Sequence, residues 1–129
     1  GIGGRVSTGY GKFHVVQKLC LNTPSDAQTK WLRRALSANR APYLLLTTSL
    51  PQADELDSAL KDASFQLVRR SGFMASDCVE TPLKKKTQYA LAAGSVLRHS
   101  YQGALYDVSL TDAHPAYRYS KPILMGVTL

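Results

Sequence analysis

The residues best suited to chemistry come first in the chain. GIGGRVSTGYG places five of the nine glycines within the first eleven positions. Glycine lets a backbone take positive φ and approach a phosphate closely, so successive amides can point into an anion-binding nest. Ser7 and Thr8 add hydroxyl donors, Arg5 and Lys12 add charge, and Tyr10 offers a ring for stacking on a base. A dinucleotide-type GxGxxG loop would lie between a strand and a helix, whereas here a strand pattern follows, and no Walker lysine motif is present. An ordinary flexible loop has the same composition, and so glycine-dense a start suggests a chain that begins mid-protein.

Lys84-Lys85-Lys86 is a second basic cluster, placed before an apolar strand pattern. It suits a phosphate backbone, although charge runs are usually solvated loops. Arg69 and Arg70 precede Ser71-Gly72, and strand alternation predicts that one is exposed and the other turned inward. Arg98 and His99 add charge near a strand end. In His114-Pro115-Ala116-Tyr117-Arg118-Tyr119, the tyrosines are candidates for base stacking and Arg118 for pairing with a phosphate or carboxylate. The same tyrosines also fit core positions with satisfied hydroxyls, and that is the expectation here.

Catalytic patterns are weak. His14, His99 and His114 are scattered, with no Ser/His/Asp or paired-carboxylate arrangement around them. Asp107 and Asp112 near His114 do not amount to a metal site, so no catalytic residue, metal or cofactor is expected. Cys20 and Cys78 belong to no CxxC or Cys/His cluster and read as reduced, small apolar residues.

These groups need a scaffold. A length of 129 residues suits one domain, and 44% apolar with 19% charged residues is ordinary for a globular protein. Sixteen Lys plus Arg against nine Asp plus Glu leave a net charge of +7, which favours polyanionic partners. No apolar run has the length of a membrane span and no signal-peptide pattern opens the chain, so no membrane partner is expected and the cytoplasm is the default.

From Lys12, Phe13, Val15 and Leu19 alternate with His14, Val16 and Lys18 and predict a strand. Thr23-Pro24-Ser25-Asp26 reads as a helix start, with Thr23 as cap. Ala27, Trp31, Ala35 and Ala38, beside Leu32 and Leu36, form an apolar stripe that places Trp31 in the core. Residues 43–48 read as a strand, Ala53, Leu56, Leu60 and Ala63 as a second helix, and Phe65, Leu67 and Arg69 as another strand. Further strands are predicted at 87–97, 104–110 and 122–129, with a loop over 75–82. The order is an α+β fold with helices on one face of a sheet.

GIGGRVSTGYGKF resembles the glycine-rich loop of RAMP proteins, the RRM-like subunits of CRISPR effector complexes. LLLTTSLPQADELDSALKDASFQLVRRSGF, KKKTQYALAAGSVL and HPAYRYSKPILMGV follow in the order expected of the fourth Csm subunit of type III-A complexes. The resemblance covers only the C-terminal part of such a subunit. It implies an RRM-like, ferredoxin-like sheet with two helices and additional C-terminal strands, the whole of 1–129 forming that C-terminal RAMP domain. It further implies a non-catalytic cap that holds the 5′ handle of the crRNA and adjoins the large polymerase-like subunit and the neighbouring backbone RAMP subunit. On this resemblance Gly1, Gly3, Gly4, Arg5, Ser7, Thr8, Gly9, Tyr10 and Gly11 are candidate RNA contacts. Lys12, Lys84, Lys85, Lys86 and Arg118 join them on charge. Two rival readings are a RAMP-type crRNA-processing endoribonuclease and a subunit-docking module with little RNA contact.

Overall fold

The computed structural model describes residues 8, 9, 11–37, 39–74, 82–110 and 115–127. They fall into two compact units, Gly1–Arg33 and Arg34–Leu129.

In the first unit, helix α1 (Ala27–Leu36) begins. Asp26, not Thr23, is its cap. The Asp26 carboxylate accepts from the Thr29 N–H at 2.8 Å and the Thr29 hydroxyl at 3.0 Å, while the Lys30 N–H reaches the Asp26 carbonyl at 3.1 Å. The Thr29 N–H bond satisfies a donor that the first helical turn leaves without a partner, and the Lys30 bond opens the helical ladder. The Thr29 hydrogen bonds also hold the Asp26 carboxyl below its ordinary pKa.

Two expectations for this unit need correction. No strand forms over 12–20, where every residue is exposed, including Phe13, Val15, Val16 and Leu19. Alternation marks a face that wants a cover, but a strand also needs a neighbouring edge to take its backbone hydrogen bonds. The described residues of this unit contain no such strand. Trp31 likewise is 60% exposed rather than core.

The second unit holds the core. Strand β1 (Tyr43–Leu45) lies between β6 (Val96–Leu97) and β9 (Leu124–Gly126), antiparallel to both. The register sets Tyr43 beside Leu97 and Leu45 beside Leu124, so the pleat sends these four to one face. There they meet Ala59 and Leu60 of α2 (Leu56–Leu60), with Ala63, Leu91 and Tyr101 completing the cluster. Buried Tyr101 is satisfied by a 2.6 Å hydrogen bond with Ser49 Oγ.

Three two-stranded antiparallel sheets complete the described strands. They pair β2 (Leu67–Arg70) with β5 (Gln88–Leu91), β3 (Phe73–Met74) with β4 (Leu83–Lys84), and β7 (Leu105–Asp107) with β8 (Tyr117–Tyr119). The strand expected over 87–97 is in fact β5 and β6, divided by a turn in which Gly94 has φ 92°. The loop expected over 75–82 lies mostly outside the described residues.

Glu55, just ahead of α2, makes no side-chain cap to its own helix. Its carboxylate accepts the N–H groups of Gln52 at 2.9 Å, Gln102 at 2.8 Å and Gly103 at 3.1 Å. Partial burial pushes this carboxyl up, but the donors from Gln102, Gln52 and Gly103 outweigh it and leave the pKa lowered. The acidic group therefore ties α2 to the loop that leads into β7.

Candidate nucleic-acid interface

The β7–β8 hairpin has two unlike faces. Its register pairs Leu105 with Tyr119, Tyr106 with Arg118 and Asp107 with Tyr117. Tyr106 and Arg118 form the inner, half-buried row. The Tyr106 hydroxyl donates to the Pro51 carbonyl at 2.7 Å, and burial, followed by the charges of Glu55 and Asp54, raises its pKa. Arg118 Nη1 donates to the Arg70 carbonyl and to Gln88 Oε1, both at 3.1 Å. That nitrogen holds β8 against β2 and β5, which makes Arg118 a strut in the protein.

The outer row is exposed: Leu105 by 55%, Tyr117 by 60% and Tyr119 by 71%. The expectation that the tyrosines are core is therefore wrong. A Tyr-Arg-Tyr alternation has period two, and the inward position went to arginine because backbone and amide acceptors on β2 and β5 are there to receive it.

The basic cluster arrives at the same place. Lys85 N–H donates to the Gly72 carbonyl at 2.8 Å, and Lys86 N–H to the Val108 carbonyl at 2.7 Å. Val108 N–H in turn donates to the Ala116 carbonyl at 2.7 Å, immediately before Tyr117. The lysine run thus passes from the β3–β4 sheet to the end of the hairpin, which it meets through the Lys86 backbone, with Lys84 and Lys86 exposed and Lys85 half-buried. Asp107 is the one acidic group paired across from Tyr117. Its carboxylate accepts from the hydroxyl and the N–H of Ser109 and also feels Lys86, and together these lower its pKa.

Other candidates are dispersed. Gly1, Gly3, Gly4, Arg5, Ser7 and Tyr10 lie outside the described residues. Gly9 at φ 86° and Gly11 at φ 71° adopt the left-handed backbone that a glycine nest requires, and Lys12 is exposed. Arg69 and Arg70 are both exposed, contrary to the expected alternation, with Arg70 Nη2 donating to Thr48 Oγ1 at 3.1 Å. Cys20 is an exposed free thiol rather than a packed one, and Cys78 lies outside the described residues. His14 and His99 are exposed, and His114 lies outside the described residues.

Among the described residues no group of His, Cys, Asp and Glu is arranged to hold a metal, and no helix is long and apolar enough to cross a membrane. A surface cleft of about 390 Å³ is lined by Ser64, Phe65, Gln66, Ala93, Gly94 and Ser95. None of those side chains titrates, so they supply no acid–base pair.

Residues 38–127 match the family model described as the CRISPR Csm4 C-terminal domain, a span that nearly coincides with the second compact unit. The chain belongs to the Csm4 family. It is 39% identical over 127 residues to a CRISPR system protein Csm4 of Mycobacterium tuberculosis, an alignment covering 98% of this chain. A Streptococcus thermophilus Csm4 is 32% identical over 126 residues, covering 95% of this chain. In each case the match takes in 39% of the relative's length. The landmark blocks read from the sequence thus fall in a Csm4-family segment, and the glycine loop, ahead of residue 38, falls within the longer matches to the relatives.

The seating of Lys86 was not legible in the sequence, because it depends on backbone pairing with Val108, whereas the Asp107–Ser109 contact is local to its own segment. The Tyr-Arg-Tyr period was the available signal for an exposed aromatic strand.

Proposed function

We propose that this chain serves as a non-catalytic crRNA-binding subunit that caps the 5′-handle end of a type III-A CRISPR interference complex. In that role it contacts the large subunit and the neighbouring backbone RAMP subunit, in the cytoplasm. The observation that carries the reading is the run Lys84–Lys86, which leaves β4 and is bonded through the Lys86 backbone to Val108 at the end of the β7–β8 hairpin, in a chain of net charge +7. Cations fixed on a sheet edge neutralise phosphates at low entropic cost and release counterions. The glycine loop adds backbone donors at left-handed positions. An RRM-like sheet is the fold that this reading assigns to the complete subunit.

Binding to a 5′-handle RNA and to a scrambled RNA, followed across a salt series, tests this. Tighter handle binding is expected. Replacing all three lysines with alanine should reduce the salt slope by about 0.7 for every single-strand phosphate that is no longer neutralised, or roughly 2 if each lysine neutralises one. Equal, weak and salt-insensitive binding to both RNAs would refute it.

A docking role has its own support. Phe13, Val15, Val16, Leu19 and Trp31 are all at least half exposed within one unit, an apolar surface suited to a protein neighbour. Firm large-subunit binding that disappears on replacing Val15 and Val16 with serine, with RNA binding intact, would assign docking to that unit.

A further inference from the structure

We propose that the outer face of the β7–β8 hairpin is a base-stacking platform for unpaired nucleotides, with Tyr117 and Tyr119 as its rings. The proposal rests on the RNA-binding reading above and adds to it a site and a mode of contact.

Four features carry it. Tyr117 and Tyr119 occupy alternate positions of one strand and are exposed by 60% and 71%. Alternate residues stand about 7 Å apart along a strand, twice the 3.3–3.4 Å rise per residue. Each ring can therefore take its own splayed base. Their orientation is enforced from behind, because Arg118 between them is fixed to Arg70 and Gln88, and Tyr106 on the paired strand to Pro51. A platform built on a fastened hairpin loses little freedom when a base arrives.

Charge selects the occupant. Lys86 lies along the end of the hairpin, Lys84 is exposed on the same segment, and Lys121 is exposed two residues beyond Tyr119. The negative charge of Asp107 is already engaged by Ser109 and offset by Lys86. Aromatic faces flanked by lysines match the alternating flat bases and phosphates of a single strand, since stacking tolerates any base while cations track the backbone. A purely apolar protein neighbour would leave those cations desolvated without counter-charge.

The test uses the purified chain and a short single-stranded RNA carrying 2-aminopurine, whose fluorescence falls on stacking. Three variants are compared with the parent: Tyr117→Ala with Tyr119→Ala, the corresponding double Phe variant, and the triple lysine-to-alanine variant. The alanine pair should weaken binding by roughly 5- to 150-fold per ring and abolish the fluorescence change while leaving the salt slope unaltered. The phenylalanine pair should restore both, and on RNA with abasic sites the alanine pair should cost nothing further.

An alanine pair that binds as tightly as the parent, while the lysine variant is weakened, overturns the platform and leaves the RNA-binding reading standing. An equal loss on abasic RNA overturns it as well, because the rings would then act by packing. Loss of large-subunit binding with RNA affinity unchanged would make the face a protein dock. If the parent chain binds no RNA at any salt concentration, both readings fall together.

Discussion

Gly103 offers the sharpest energetic test of the fold. It is buried with φ 59°, and a Cβ placed there would lie 2.6 Å from the Ser120 carbonyl oxygen and 2.9 Å from that of Leu50. Neither atom is the tip of an adjustable side chain. Leu50 N–H donates to the Ser120 carbonyl and Ser120 N–H to the Ala104 carbonyl, each at 3.0 Å, so moving either strand loosens the seam. Left-handed backbone costs a non-glycine residue about 1–2 kcal/mol. Loosening two backbone hydrogen bonds adds about 1 kcal/mol each. Gly103→Ala should therefore destabilise the protein by about 3–4 kcal/mol, a large share of the ~5–15 kcal/mol typical of a domain. Gly94→Ala is the control, because its φ of 92° is at least as unfavourable but no atom lies within 4 Å of the added Cβ. It should cost only the backbone part, about 1–2 kcal/mol. Urea unfolding followed by far-ultraviolet circular dichroism measures both. Equal losses for the two variants, or a loss below about 1 kcal/mol for Gly103→Ala, would refute the close approach.

Three further outcomes are expected. The lowered carboxyl of Glu55 contributes stability that is fully present above its ordinary value of 4.5 and is lost as pH falls through the lower folded value. Glu55→Gln should therefore be less stable than the parent at pH 7 and converge with it in acid, which melting temperatures across a pH series would show. Ser49→Ala strands the buried Tyr101 hydroxyl and should cost about 1–3 kcal/mol, whereas adding Tyr101→Phe to it should cost little more, so a double-mutant cycle reports their coupling. Arg118→Lys keeps the charge but not the planar fork that serves two acceptors. It should lower the melting temperature and RNA affinity with the salt slope unchanged; a reduced slope with normal stability would instead make Arg118 a phosphate contact.

Local rules located much of the second unit. The apolar run at Tyr43, the helix stripe through Leu56 and Leu60, and the strand halted by Ser71-Gly72 all appear where their residues put them. Each is decided within its own segment. Errors arose where a partner decides. The alternating residues after Lys12 carry a strand's pattern but have no hydrogen-bonding edge among the described residues of their unit. Trp31, Tyr117 and Tyr119 have the size of core residues, yet no spacing rule says whether a covering layer is present. The Thr87–Leu97 run hid a turn at Ala92–Ser95, whose Gly94 was visible in the sequence but outweighed by its apolar flanks. The interface suffered the same limit, since only pairing across the hairpin brings Lys86 to the residues before Tyr117.

The described strands form four small sheets, and the backbone links across them are short: Ser49 with Leu91, Ser64 with Val96, Lys86 with Val108. A panelled construction of this kind opens at its joints before its panels. In deuterated solvent the amides of Lys85 and Lys86 should exchange ahead of those of Leu45 and Leu91. That order of exchange would mark the packed centre as the last part of the second unit to open.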